Sequence, residues 1–376
     1  MIAVRTPPQN LVPLIVTTFL TFVPLARAQL YQQVNLVTDD KTVHPAPVED
    51  PNLVNAWGVS FGPSTPFWVS DNETGLSTLY SVNPVTDTTT KVGLEVHTGG
   101  AGHPTGQAFN PSSGFNGDRF LFVGEDGTIS GWRGALGTTA EILQTGLDAN
   151  VYKGTTLAST GGHEYLYSAN FRAGTIDILK GDAGAPDLTG KFTDPNLPAG
   201  FAPFNIRSLG GKLYVAYAMQ DATKSDEAPG AGLGFVDAFD LQGNLIQRIG
   251  SQGTLNAPWG LEIAPAEFGP LAGDLLVGNF GDGTINAFDP NGGGFKGQLF
   301  GPDGKPVAID GLWALTVGND GSGGNSDKLY FTAGPDEESH GLFGLVLQVP
   351  DLGSTLIMLA VSLCGMSVFA RRNSRL

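Results

Sequence analysis

Trp259-Gly260-Leu261, Asp274-Leu275-Leu276-Val277-Gly278 and Gly283-Thr284-Ile285-Asn286-Ala287-Phe288 are three short apolar runs separated by turn residues. Each is too short for a globular helix, and Gly, Asp, Asn and Pro bound them, the pattern of strands joined by hairpins. The same succession recurs on both sides, opening at Trp57-Gly58, Thr105-Gly106, Lys153-Gly154, Asn205-Ile206 and Trp313-Ala314. Counted from residues 58, 106, 154, 205, 260 and 314, the spacings are 48, 48, 51, 55 and 54. A unit of that size, made of strands and turns, cannot bury its own apolar face and must stack on neighbours. The expected fold is all-β: a six-bladed β-propeller of the NHL-like kind. The 321 residues from Gln29 to Val349 then supply about 53 per blade. The segment Tyr31–Val37 has no repeat of its own. It is expected to pair with Phe343–Leu347 and so close the ring, hiding both chain ends' edges.

Composition agrees with many short strands. Gly 54 and Pro 25 are high among 376 residues, while charged residues are only 15%, too few for long surface helices. The formal net charge is −16, and Arg5, Arg27, Arg371, Arg372 and Arg375 lie at the two ends, so the body between is more acidic still. Nucleic acid, whose backbone is bound mainly by Lys and Arg, is a poor partner. Cations, neutral glycans and basic proteins remain. Cys364 is the single cysteine, which leaves the body without a disulfide or thiolate metal site.

Both ends read as addresses. Residues 1–28 have Arg5, an apolar run from Leu11 to Leu25 and Ala26-Arg27-Ala28, the layout of a secretory signal peptide. The body spans 29–348. Residues 349–376 begin Val349-Pro350-Asp351-Leu352-Gly353-Ser354-Thr355, continue through an apolar Leu356–Ala370 and end on three arginines. That tail resembles the PEP-CTERM class of sorting signals in its Val-Pro-Asp variant, with Val349, Pro350, Asp351, Gly353 and Ser354 as the motif. The resemblance implies an exosortase-type partner, a membrane segment, and delivery to the cell surface or extracellular matrix. An ordinary membrane anchor is the other reading. Both place the body outside the cytoplasm.

The body carries its own resemblance. Asn35-Leu36-Val37-Thr38-Asp39, Asp50-Pro51-Asn52-Leu53-Val54-Asn55-Ala56-Trp57-Gly58 and Phe67-Trp68-Val69-Ser70-Asp71-Asn72-Glu73-Thr74-Gly75 resemble the opening of an exported bacterial propeller family of uncharacterised function. Asn256–Gly260 and Gly278–Gly283 resemble its later blades. The likeness implies fold and export and supplies no catalytic residue.

Candidate sites come from aligning repeats. The ends of the central strands carry Asp71, Glu125, Asn170, Tyr217, Asn279 and Ala333. Of these, Asp71, Glu125, Asn170 and Asn279 are oxygen donors suited to Ca²⁺, and six-bladed lactonases and gluconolactonases are similar in placing a metal at the pore. The alternative is that these residues cap turns. Trp57, Trp259 and Trp313 hold matching positions and, with Tyr217, form either an aromatic rim for a sugar ring or packing between blades. His103 and His163 precede strands and are candidate bases. Gly58-Val59-Ser60-Phe61-Gly62 fits a hydrolase elbow by pattern, but no helix pattern succeeds it. Residues 220–232 form a polar insertion in the fourth repeat, where binding function tends to sit. The expected function is a surface or matrix binding module, with exopolysaccharide or another surface protein as partner. A Ca²⁺-dependent, lactonase-like hydrolase is the alternative.

Overall fold

The computed structural model describes residues 29–349 and is a ring of six antiparallel sheets. Blade one comprises Ala56–Ser60, Phe67–Asp71, Leu76–Val82 and Thr89–Lys91, with Val96–His97 added to its third strand. Blade two comprises Pro104–Phe109, Phe120–Gly124, Ile129–Trp132 and Glu141–Gln144. Blade three stops at three strands, Tyr152–Thr160, His163–Asn170 and Thr175–Lys180. Blades four and five have four each, Phe201–Leu209, Lys212–Met219, Gly234–Phe239 and Leu245–Ser251, then Pro258–Ile263, Leu275–Asn279, Ile285–Phe288 and Phe295–Gln298.

Blade six takes strands from both ends of the body. Leu312–Val317, Leu329–Ala333 and Leu342–Val349 come from one end, and Leu30–Thr38 pairs antiparallel to the last of them, from Leu30 opposite Val349 to Thr38 opposite Leu342. A bulge between Asn35 and Val37 adjusts the register, and Val48–Glu49 adds in parallel outside. The expected closure is therefore present, the first strand one residue longer at each end than the apolar pattern suggested and its partner longer by one residue at the start and two at the end. It joins first and last segments without a covalent link, so the ring opens only if eight paired positions are lost together.

The blades pack face to face, and the innermost strands meet at the axis in register. The spacing of the opening residues has a steric cause there. A Cβ on Gly58 would sit 2.4 Å from the Thr105 carbonyl oxygen, and one on Gly154 would sit 2.0 Å from Asn205 Oδ1. At these glycines the neighbouring inner strand approaches too closely for a Cβ, and Asn205 of blade four fills the space that Gly154 leaves. Aromatic and branched side chains fill the wider space outward: Phe67, Tyr80, Tyr330 and Phe343 lie between blades one and six, fully buried. Among the described residues no helix is long and apolar enough to cross a membrane. The expected signal peptide and nearly all of the tail motif (Pro350, Asp351, Gly353 and Ser354) lie outside the described residues; Val349 ends the closing strand.

Candidate functional site

Alternation along a strand sends residues two apart to the same side. The residues two beyond the axial level are Ser60, Ala108, Thr156, Arg207, Glu262 and Thr316, one from each blade, and all six line one open funnel of about 400 Å³. Arg207 Nη2 donates to Glu262 Oε2 at 2.8 Å, so the two charges cancel locally. The other oxygen of Glu262 accepts the Ile263 N–H at 2.9 Å. Gln107 is committed to the wall: Nε2 donates to the carbonyls of Gly58 and Trp68, and Oε1 accepts from Ser60. Arg207 Nε is buried and bonds to nothing. Phe61 and Phe109, both half-buried, complete the wall. The result is a concave, polar-floored and aromatic-sided recess with uncommitted donors.

The other end of the axis is closed. One residue before the axial level the six blades present Trp57, Thr105, Lys153, Phe204, Trp259 and Trp313, all buried. Trp313 stacks on Trp57 with centroids 3.8 Å apart and on Phe280 at 4.0 Å, while Trp259 meets it edge-on at 5.9 Å. Trp313 Nε1 donates to Asn55 Oδ1 at 2.9 Å. The ammonium of Lys153 lies 4.9 Å from the centre of the Trp57 ring. It donates to Glu125 Oε1 at 2.5 Å and Asp226 Oδ1 at 2.7 Å. Burial works to lower the lysine's pKa, but the charges of Glu125, Asp226 and Glu227 outweigh it and hold Lys153 above its ordinary value, fully charged. Two more carboxylates crowd the site. Burial pushes Glu227 up to about 7 against the pull of Lys153, and burial also raises Glu338, whose carboxylate accepts from Asn55 Nδ2 at 2.6 Å.

Asp226 and Glu227 belong to the insertion 220–232, which is pinned across this end. Gln220 Nε2 donates to the Phe171 carbonyl, the Arg172 guanidinium to Ser225, and the Gly230 N–H to Asn256 Oδ1. The insertion seals the axis.

The residues expected to share one site go separate ways. Asn170 accepts the Val151 N–H and donates to Asp177 and Asn150; Asn279 accepts the Asn256 N–H and donates to Thr254 and Asp282. Both tie the turns of their own blades. Asp71 is buried within blade one, neither oxygen bonded, and burial lifts its pKa well above the usual carboxylate range. Glu125 alone reaches the axis, where Lys153 holds it. Among the described residues no three His, Cys, Asp or Glu side chains are grouped to hold a metal ion. Trp57, Trp259 and Trp313 converge on the axis but are buried in mutual contact, whereas Tyr217 lies in the core between blades three and four. His163 pairs with Asp182 at 2.9 Å on the outer surface, and His103 lines a small cleft in blade two with Asp126 and Thr128. The charged residues that do define the two axial ends, Lys153, Arg207 and Glu262, were missed. Their signal was present: a charge one before, or two after, the axial residue of an otherwise apolar strand.

No protein-family model matches the chain. The uncharacterised protein R648 of Acanthamoeba polyphaga mimivirus is 32% identical over 340 residues, 85% of this chain and 81% of that protein. A second mimivirus protein, the uncharacterised L690, is 31% identical over 343 residues, 86% of this chain and 87% of its own. Among solved structures, an α-L-arabinofuranosidase from Fusarium graminearum, in complex with an iminosugar inhibitor, superposes with a TM-score of 0.51 at 13% identity, covering 85% of this chain and 98% of that one. At that identity the likeness is one of fold. These relatives overturn the expected membership of an exported bacterial family and, with it, the identification of the tail as a PEP-CTERM signal. The reason is physical. Two of the motifs that carried the resemblance, Trp57-Gly58 and Trp259-Gly260, sit where inner strands pack closely at the axis, a constraint of geometry that is not specific to one lineage.

Proposed function

Because this chain belongs to the family of the mimivirus proteins R648 and L690, a kinship that brings a fold without a chemistry, we propose from its own residues that it is a binding module whose axial funnel takes a neutral, hydroxyl-rich ligand of mono- or disaccharide size. The observation that carries this reading is the convergence of one residue from each of six blades on one open recess. Its volume of about 400 Å³ lies within the range of small-molecule sites. The charges of Arg207 and Glu262 neutralise each other, and Glu164, also in the lining, adds a carboxylate that repels anions and can accept from a ligand hydroxyl. What stays available is directional: the part-exposed Arg207 guanidinium, held by Glu262 through Nη2 alone, and the hydroxyl proton of Thr156, whose oxygen accepts the Ser208 N–H, both facing a ligand rich in acceptors. Phe61 and Phe109 offer flat apolar faces to the C–H side of a sugar ring. The end of a polysaccharide chain has the same chemistry.

Titration calorimetry against a panel of neutral mono- and disaccharides tests the reading. At least one should bind, and Arg207→Ala or Phe109→Ser should weaken it tenfold or more while the melting curve stays cooperative. Absence of heat with every sugar at millimolar concentration, or affinity indifferent to both substitutions, refutes it.

A further inference from the structure

Blade three ends early and leaves an edge uncovered. Its outermost strand, Thr175–Lys180, is the third from the axis, a position that a fourth strand covers in blades one, two, four and five. Among the described residues no backbone group pairs with its outer side. The chain that leaves it, 181–200, does not fill the gap. Gly181, just past the strand, donates to the Glu164 carbonyl and accepts the Phe115 N–H from blade two; beyond it the backbone bonds of Gly190 and Phe192 run to Gln242 and Gly243 in blade four, and Leu188, Phe192 and Leu197 pack on the face toward that blade. On the opposite side, facing blade two, the strand borders a groove of about 520 Å³ whose apolar lining includes Phe115, Ile142, Leu143 and Leu179. Ile142, on the outer strand of blade two, is 47% exposed and offers an apolar side chain to the groove. An unpaired edge beside an apolar groove combines the two requirements for strand addition: main-chain partners for affinity and a pocket for alternate side chains.

We propose that Thr175–Lys180 is a docking edge for an extended basic peptide, which adds as the fourth strand of blade three with its apolar residues in the groove. Charge selects the occupant. Asp182 lines the groove with Glu141 and Asp187 beside it, against Lys180 in the lining, Arg133 beside it and His163, which is charged only when protonated. The chain's formal net charge of −16 adds a field of the same sign, which draws in a cationic strand and repels a second copy of this chain. The proposal is independent of the axial funnel, which faces inward from other strands.

The test uses three fluorescein-labelled octapeptides in polarisation titrations with the propeller: alternating Lys-Val, alternating Glu-Val, and the Lys-Val peptide with a central proline. The Lys-Val peptide should bind and weaken with added salt; the other two should bind at least tenfold less well. On the protein, Ile178→Pro and Leu179→Pro each remove one N–H, and only one of the two points outward. The variant that keeps the wild-type melting curve should lose at least tenfold in affinity. Ile142→Glu, a surface change, keeps the test decisive if both proline variants unfold, and should weaken or abolish the groove contact to the same extent. Arg207→Ala should leave peptide binding unchanged. Failure of the Lys-Val peptide to bind, equal binding of the Glu-Val peptide, or affinity unmoved by Ile142→Glu overturns the proposal. So does a concentration-dependent dimer in sedimentation that Ile142→Glu abolishes, since the occupant would then be a second copy.

Discussion

The two ends of the propeller axis each hold a basic side chain bonded to carboxylates, and they behave as opposites. Lys153 is 0% exposed, bonded to two carboxylates, set over the Trp57 ring and roofed by residues 220–232. Arg207 is 24% exposed, bonded to one carboxylate through Nη2 alone, and leaves the rest of its guanidinium uncommitted in an open funnel. A buried cation held by two carboxylates and an aromatic face is a structural rivet, whereas one with a donor left over in a recess is poised for a ligand. The difference between the ends is therefore not charge but completion. Substitutions at the closed end should accordingly register as lost stability and those at the open end as lost binding.

The largest effect expected at the closed end is Trp313→Ala. Its ring is fully buried between Trp57 and Phe280, and its removal leaves a cavity where five aromatic side chains meet. A loss of about 4 kcal/mol is expected, seen as a fall in urea midpoint with an unchanged slope. Lys153→Met comes next. It keeps the bulk but strands Glu125 and Asp226, which a buried cation had offset. Full burial of the carboxylates would cost more, but the Asp226 side chain is 64% exposed, so about 2 kcal/mol is expected. Adding Glu125→Gln to Lys153→Met should recover part of that loss; if the double variant is worse than the single, the rivet is not electrostatic.

A smaller effect is read in the pH dependence of stability. Glu227 titrates at about 7 in the folded protein against an ordinary 4.5, so its contribution is complete below pH 4.5 and is lost as pH climbs through 7. Asp237, buried and raised to about 6 in spite of Arg248, acts in the same direction. Wild-type stability should therefore fall between about pH 4 and 7 and level off above that, as judged by urea midpoints. Glu227→Gln should flatten the curve and gain on the order of 1–2 kcal/mol at pH 8, because the carboxylate keeps some contact with water. An unchanged slope in that variant would place Glu227 in solvent and leave the roof without a buried charge.

How much of this contrast was legible in the residues depends on what repeats can encode. Ring closure was legible because Tyr31–Val37 had strand character and no partner in its own repeat. The axial level was legible because a glycine there is forced by close contact, as at Gly58 and Gly154. The site was not. Lys153 was read as a marker of the repeat, though a lysine at a position held elsewhere by tryptophan has to be neutralised from loops far along the chain, here Glu125 and Asp226. Arg207 and Glu262 sit 55 residues apart and meet only because their blades are neighbours. The insertion 220–232 was correctly seen as an addition on one face, but its role as a roof depends on Lys153 beneath it. Asn170 and Asn279 aligned well because capping turns recur with the blades, and that same recurrence imitates a ligand ring; Asp71 shares their strand position without capping anything.

The smallest expected effect separates the two ends by what neither should do. Calcium would need oxygen donors with free lone pairs pointing at one centre. Asn279 offers its carbonyl oxygen to the Asn256 N–H and its amide to Thr254 and Asp282, while Asn170 is held equally by Val151, Asn150 and Asp177. Taking either into a metal site would break several hydrogen bonds of its own turn. Glu125 would have to leave Lys153, at a cost comparable with that of Lys153→Met. Millimolar Ca²⁺ or a chelator should consequently move the melting temperature by less than about 1 °C. A rise of several degrees that Glu125→Gln removes would mean that the closed end opens to take a cation in place of Lys153, and the distinction between rivet and recess would have to be redrawn there.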